Sequence, residues 1–531
     1  MPRTLLITGG DLDIRRIWAF VADPKMSAVI DDDVFARTQE SRMMLEKNLT
    51  SKVIYGVNTG FGPMASHLIS RKALTELQTN LIRSHAVGMG APVPDPLVLA
   101  AMLVRLNTLA RGMSGVSAEL LHALAAVINH RIIPEVPEHG AVGTSGDLVQ
   151  LAHVGLALIG EGHVRYRDER MPAARALKLA GLEPYRLIPR DGLAVINGTS
   201  FMAGIMAVAC RDADRLLSVA VRSGAWALEL IGAFADGLSE RLHELRPHRG
   251  QLTVGLALRE LTAGSRLIKQ REAFQRKHRI TEATRFIDED VQEIYSFRCI
   301  PQIVGPSLDV LARSRETVET EINSVTDNPI VDPVSGKFLH GGNFHGEYVA
   351  QAADELRAAM AKLTLLAERQ INFFLNRNVN RRLPPFLNLA TAGLNLSLQG
   401  LQFVATSTAS HAQSMAYPHR VHSMSTNADN QDVVSMGTDS ALLTMKTAED
   451  LRILCAVELI TLAQATDVMR ATRRLSPAAS ELYRAVRRVF PAVTKDRVLV
   501  DELPAVTDLI RAGAGLDVAW RTPRISPLFS G

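Results

Sequence analysis

The run Gln351-Ala-Ala-Asp-Glu-Leu356-Arg-Ala-Ala-Met360-Ala-Lys-Leu363-Thr-Leu-Leu-Ala367-Glu-Arg-Gln-Ile371-Asn-Phe-Phe374 places apolar residues at three- and four-residue steps. That spacing follows the 3.6-residue turn of an α-helix and predicts one long helix with an apolar stripe. A second such pattern runs from about Asp439 to Arg470, through Leu443, Lys446, Asp450, Leu454, Val457 and Ile460. A third covers Ser307 to Ile322 and stops before the loop-rich breaker Asn323-Ser-Val-Thr-Asp-Asn-Pro329. Helices beyond the ordinary range of ~8–20 residues favour a bundle whose core is shared between subunits. Strand signals are few and short: Thr4–Ile7, Val53–Tyr55, and Arg165–Tyr166 near the turn Gly160-Glu-Gly162. The expected fold class is therefore mainly α, a long central helical bundle with a small N-terminal α+β portion. The expected divisions are an N-terminal portion over residues 1–210, the bundle over 211–475, and a helical tail over 476–531.

With 47% hydrophobic and 21% charged residues over 531 positions, the chain can bury a large core. The net charge of +4 is small for this length, and no basic block or interleaved aromatic run points to nucleic acid. Cys210, Cys299 and Cys455 are far apart and odd in number, which fits neither a disulfide framework nor a metal-ligand pattern. His419 and His422 have helical spacing, but no third ligand accompanies them and Pro418 disfavours a helix there. No metal is expected. The apolar run at the N-terminus is too short for a signal peptide, and no run of ~18 apolar residues suggests a membrane span. A cytoplasmic location is the expectation.

The chemistry is concentrated in Gly140-Ala-Val-Gly-Thr-Ser-Gly-Asp-Leu148, between two apolar helical segments. In a constrained turn a Xaa-Ser-Gly triplet can cyclise on itself. The amide nitrogen of Gly146 attacks the carbonyl of Thr144 and closes a five-membered ring. Loss of two waters, one from the Ser145 side chain, leaves an exocyclic methylidene, an electrophile no ordinary side chain provides. Glycine suits the ring-closing position because it lacks a Cβ. A plain alternative is a helix-entry turn with Ser145 as a cap. A serine hydrolase fits less well, since Gly143-Thr-Ser145-Gly-Asp is one residue short of the Gly-x-Ser-x-Gly elbow.

Nine further segments accompany the triplet: Tyr55–Gly62, Asn80–Ala86, Arg105–Leu109, Gly192–Ser200, Tyr295–Gln302, Glu321–Pro329, His340–Gly346, Leu383–Leu387 and Asn427–Gly437. In content and order they resemble the ammonia-lyase and 2,3-aminomutase family that carries the 4-methylideneimidazol-5-one (MIO) group. The match covers most of the chain. The usual triplet there is Ala-Ser-Gly; Thr144 replaces the alanine, and Gln150 stands where proline is usual. The resemblance implies an MIO group made from Thr144, Ser145 and Gly146, with no external organic cofactor. It implies a homotetramer with each active site drawn from three subunits.

It also implies roles. Tyr55, on a Gly-rich mobile loop, is the candidate base for the β-proton. A phenol ordinarily titrates near pH ~10, so a tyrosine base demands a site that favours the phenolate. Arg298 is the carboxylate clamp, its planar fork matching two oxygens. Tyr295, three residues earlier, faces the same way on a helix or tight turn, and Asn197 adds a hydrogen bond to the same carboxylate. Phe344 supports the site by packing, while Asn427, Asn430 and Gln431 form a polar cluster near the amine.

Substrate choice turns on Ser84-His85, which in the family faces the ring end of the substrate. A buried histidine there argues against phenylalanine, because a polar group without a partner is costly. Histidine ammonia-lyases and bacterial tyrosine 2,3-aminomutases share the pair. Gln431 favours the aminomutases, since histidine lyases usually have Glu; Glu347 weighs weakly the other way. The expected substrate is L-tyrosine, giving β-tyrosine or p-coumarate and ammonia. Histidine ammonia-lyase, giving urocanate, is the alternative, and a non-catalytic helical scaffold the remote one.

Overall fold

A computed structural model describes residues 3–522 except 279, 281, 283 and 514. The fold is mainly α, with 56% helix. The apolar stripe quoted first lies on the helix Glu347–Leu375, where Leu356, Met360, Leu363, Ala367, Ile371 and Phe374 are all buried. The other two periodic segments fall on Gly437–Val468 and Ile300–Glu321. A further long helix, Ser200–Ile231, was not singled out from the sequence.

The chain packs as two units that are discontinuous in sequence. The first comprises Met1–Arg211, Arg313–Glu355 and Pro418–Met445; the second comprises Asp212–Ala312, Leu356–Tyr417 and Lys446–Gly531. The three successive stretches expected from the sequence are therefore not the units of packing. The physical reason is helix length: each of the four long helices begins in one unit and ends in the other, so no boundary in sequence can separate them.

In the first unit, Asp95–Leu109 is buried on nearly every face, as befits a helix apolar all round. Buried polar positions on it reach other segments: Asn107 Nδ2 donates to Ile322 O over 2.8 Å. All strands among the described residues belong to this unit. Thr4–Ile7 pairs in parallel with Ser27–Ile30. Ile133–Pro134, His163–Tyr166 and Glu169–Pro172 form an antiparallel sheet. Two small antiparallel pairs, Met89–Pro92 with Pro137–His139 and Ile330–Asp332 with Lys337–Leu339, complete the set. Val53–Tyr55 is not a strand. Asn58 Oδ1 accepts from Ile54 N and Asn58 N donates back to Ile54 O, which folds this stretch into a turn.

In the second unit, segments of the long helices form a bundle tied by buried polar contacts. Trp226 Nε1 donates to Thr466 Oγ1 over 3.1 Å, and Arg452 pairs with Asp212 over 2.6 Å. Arg357, fully buried, donates to the carbonyls of Met415 and Tyr417 that end the neighbouring helix Gln399–Ser414. Among the described residues no helix is long and apolar enough to cross a membrane.

Candidate active site

The triplet Thr144-Ser145-Gly146 enters the helix Leu148–Leu158 through a turn held against a second segment. Gly146 pairs in parallel with Gly198, with Gly198 N donating to Ser145 O and Asp147 N donating to Gly198 O over 3.2 and 2.9 Å. Gly146 has φ +67°, and a Cβ there would stand 1.9 Å from Gly198 O. Only glycine is tolerated, for conformation and for space alike. The contact brings the Gly192–Ser200 segment against the triplet.

Asp147 anchors this arrangement. Its Oδ2 accepts from the backbone N–H of Phe201 and Met202, at the start of Ser200–Ile231, over 3.0 and 2.9 Å. Its Oδ1 accepts from Thr438 at the start of Gly437–Val468. One carboxylate thus meets two helix N-termini, where free N–H donors and the helix dipole favour negative charge. Burial nevertheless pushes the Asp147 carboxyl up to about 6, against those hydrogen bonds, with the nearby Glu321 carboxyl adding to the rise. Arg190 pairs with Asp327 over 2.7 Å with both side chains fully buried, and Arg105 lies 3.8 Å from the same carboxylate. Burial holds Arg105 down at about 10, partly offset by Asp327.

Ser145 opens onto a cavity of about 720 Å³. Of the expected site residues, Tyr55, Ser84, His85, Thr144, Ser145, Asn197, Phe344, Asn427, Asn430 and Gln431 line it. Apolar walls come from Phe61, Leu77, Leu81, Leu148 and Leu193, none of which the sequence reading singled out. Tyr55 sits on a loop whose Gly62 N–H donates to the phenol oxygen over 3.0 Å. Gly62, at φ +53°, packs so closely on Asn427 that an added Cβ would be 2.6 Å from its amide. The Tyr55 loop and the Asn427 segment therefore meet over the cavity.

Also on the cavity wall, His85 Nδ1 stands 2.9 Å from Leu81 O, and Ser84 Oγ lies 3.1 Å from the same nitrogen. A carbonyl oxygen only accepts, so Nδ1 carries the proton, and a neutral ring presents Nε2 as an acceptor. Asn197 is 3% exposed and donates its amide N–H groups to Asp327 Oδ1 and Asn328 O, over 3.2 and 3.0 Å. Both partners are acceptors, so the amide orientation is fixed. Its Oδ1 has no partner among the described residues. The unpartnered atom of the Asn197 amide is thus an acceptor, which suits an N–H donor.

Tyr295 and Arg298 do not line this cavity. They lie on the short helix Tyr295–Arg298 in the second unit, where they border a separate depression with Asp236, Arg271, Glu293 and Gln302. They do share a face, the guanidinium lying 5.0 Å from the tyrosine ring centroid, and Tyr295 is 70% exposed. Glu347 does not line the cavity either; it pairs with Arg420 over 2.7 Å. Ser145 Oγ accepts from the Gln431 amide over 3.0 Å, an arrangement unlike the imidazole contact of a hydrolase nucleophile and unlike a helix cap. Among the described residues no group of three or more His, Cys, Asp or Glu could hold a metal ion.

Residues 12–488 match the aromatic amino acid lyase family, and the chain belongs to that family. A histidine ammonia-lyase of Treponema denticola is 36% identical over 520 residues, covering 97% of this chain and 98% of the relative. A tyrosine 2,3-aminomutase of Chondromyces crocatus is 41% identical over 434 residues, covering 81% of this chain and 82% of the relative. Among solved structures, a tyrosine aminomutase from Streptomyces globisporus superposes with a TM-score of 0.93 at 34% identity, over 98% of this chain and 100% of that one.

Proposed function

We propose that the cavity takes an aromatic L-α-amino acid, L-tyrosine, and eliminates its amine, with or without re-addition at Cβ. The observation that carries this reading is the wall carrying His85, whose Nδ1 is turned to Leu81 O and whose Nε2 is left as the atom to meet a phenol O–H. A ring without a polar group would leave that acceptor unpaired, a cost of about 1–3 kcal/mol. Histidine ammonia-lyases among the relatives favour a second reading, since an imidazole N–H also suits His85. Gln431 in place of the usual Glu supports the first.

Residues 144–146 fit an MIO group. The triplet sits on a turn that admits only glycine at 146, with Ser145 facing the cavity and its hydroxyl held by Gln431. What such a group supplies is an electrophile for the substrate amine. The chain supplies the rest. Asn197 Oδ1 accepts from an N–H of the substrate's neutral amine and orients its lone pair. Tyr55, its phenol oxygen directed by the Gly62 N–H, takes the β-proton. Phe61, Leu81 and Phe344 exclude water from the ring. Arg298 and Tyr295 grip the carboxylate from another copy of the chain, in the homotetramer the family resemblance implies.

Incubation with L-tyrosine, with products resolved by chromatography, tests the reading. Accumulating β-tyrosine marks an aminomutase and p-coumarate alone a lyase. Turnover of histidine in place of tyrosine would overturn the substrate assignment. Ser145→Ala removes the near-ultraviolet absorbance of the group and nearly all turnover; absorbance surviving that change would overturn the MIO assignment.

A further inference from the structure

Thr144, where the family usually has alanine, is 4% exposed, and its Oγ1 donates to Gln431 Oε1 over 2.8 Å. Gln431 Nε2 donates to Ser145 Oγ over 3.0 Å, so the amide is held at both ends by the triplet. Gln431 closes a loop of unusual backbone: Asn427, Ala428 and Asp429 have φ of +55°, +53° and +59°. Left-handed conformation costs L-residues about 1–2 kcal/mol each, less for Asn and Asp. A run of three persists only where its surroundings over-determine it. The loop's own backbone ties are the bonds of Thr426 N to Gln431 O and of Gln431 N to Thr426 O, over 3.0 and 3.3 Å, and that of Asn430 N to Asn427 O, over 3.2 Å; Ser425 Oγ also donates to Asp429 Oδ1.

Ring formation expels the Ser145 hydroxyl as water and with it the Gln431–Ser145 bond. The Thr144 hydroxyl is outside the ring and is not lost. Among the described contacts it is then the side-chain partner that the Gln431 amide keeps. An alanine at 144 provides none.

We infer that Thr144 is a positioning residue, whose hydroxyl holds the Gln431 amide and the 426–431 loop in place once Ser145 has lost its oxygen. The inference deepens the reading of 144–146 as an MIO precursor, but the contact can be tested apart from it. In a Ser145→Ala background, which lacks the same oxygen and cannot form the group, hydrogen exchange of peptides spanning 424–433 is compared for Thr144→Val and Thr144→Ser. Valine keeps the shape without the hydroxyl, and serine keeps the hydroxyl. Exchange of the 426–431 amides is expected to rise about fivefold with valine, the factor set by one ordinary hydrogen bond, and to stay near the parent with serine. Equal exchange in the three proteins would overturn the inference. Should the valine protein fold poorly, Thr144→Ala serves the same comparison.

Turnover gives a second arm. With Ser145 restored, Thr144→Val keeps the near-ultraviolet absorbance but loses about fivefold in kcat/KM, and Thr144→Ser recovers most of that loss. On a Gln431→Leu background the valine change adds less than twofold, because its target is gone. A loss of the same size in both backgrounds would show that Thr144 does not act through Gln431. Absence of the absorbance from the unaltered protein would defeat the MIO reading and leave the exchange result to decide the role of Thr144.

Discussion

Gly146 and Asn197 are residues at which atomic detail dictates the chemistry. At Gly146 a single methyl group would meet the Gly198 carbonyl at 1.9 Å, and φ of +67° is unfavourable for any side chain. Gly146→Ala is expected to lose the near-ultraviolet absorbance and to destabilise the protein by about 3 kcal/mol, at the upper end for overpacking; denaturant unfolding and a difference spectrum check both. The sequence singled out the glycine as the candidate ring-closing residue. Its packing against Gly198 was not legible there, because the partner lies in another segment. The sequence singled out Asn197 as a candidate, and the structure places it on the cavity wall with its amide oxygen unpartnered. Which end of an amide is free depends on its neighbours, here Asp327 Oδ1 and Asn328 O. Asn197→Asp puts a carboxylate beside Asp327 and removes both donors. It is expected to lower kcat/KM by at least about tenfold, since a buried charge then faces another with one hydrogen-bond partner fewer; steady-state kinetics on L-tyrosine tests this.

Among the elements, Gly437–Val468 and Ser200–Ile231 show how a long helix serves two ends. At their N-termini Thr438, Phe201 and Met202 converge on Asp147 beside the triplet. Further along, in the second unit, Glu458 is fully buried near Ser223, and burial pushes its carboxyl up to about 8. A raised carboxyl binds a proton in the folded chain that the unfolded chain, titrating near 4.5, has released. Its contribution is therefore complete below about pH 4.5 and is lost as pH rises through about 8. Glu458→Gln, neutral throughout, is expected to unfold at nearly the same temperature as the parent near pH 5. At pH 9 it should unfold at a higher one, and a series of thermal melts reads the difference. Helix periodicity made three of these long elements legible. The fourth, Ser200–Ile231, carries Arg211, Asp212, Asp214 and Arg215 in its middle, which interrupt the apolar pattern. Val53–Tyr55 misled for the opposite reason: a β-branched and aromatic run reads as strand until Asn58 turns it.

Across the whole molecule, the expected site residues separate into two sets. Eleven belong to the first unit, ten lining one cavity and Gly146 pairing with Gly198 in the turn beside it, while Tyr295 and Arg298 belong to the second. If each active site draws the pair from another copy, two inactive proteins can complete one another. Ser145→Ala co-expressed with Arg298→Ala is expected to regain measurable turnover in mixed assemblies, whereas each alone stays inactive. No recovery in assemblies shown by mass to contain both chains would place all the functional residues of a site on one chain. The sequence by itself determined the family and the mainly helical class and proposed the candidate site residues, because periodicity and motif order are local properties of the chain. Tertiary structure alone decided that Thr144 meets Gln431, that Asp147 joins two helix starts, and that Asn197 offers an acceptor. Those facts depend on hydrogen-bond partners far apart in sequence, and only packing brings such partners within about 3 Å.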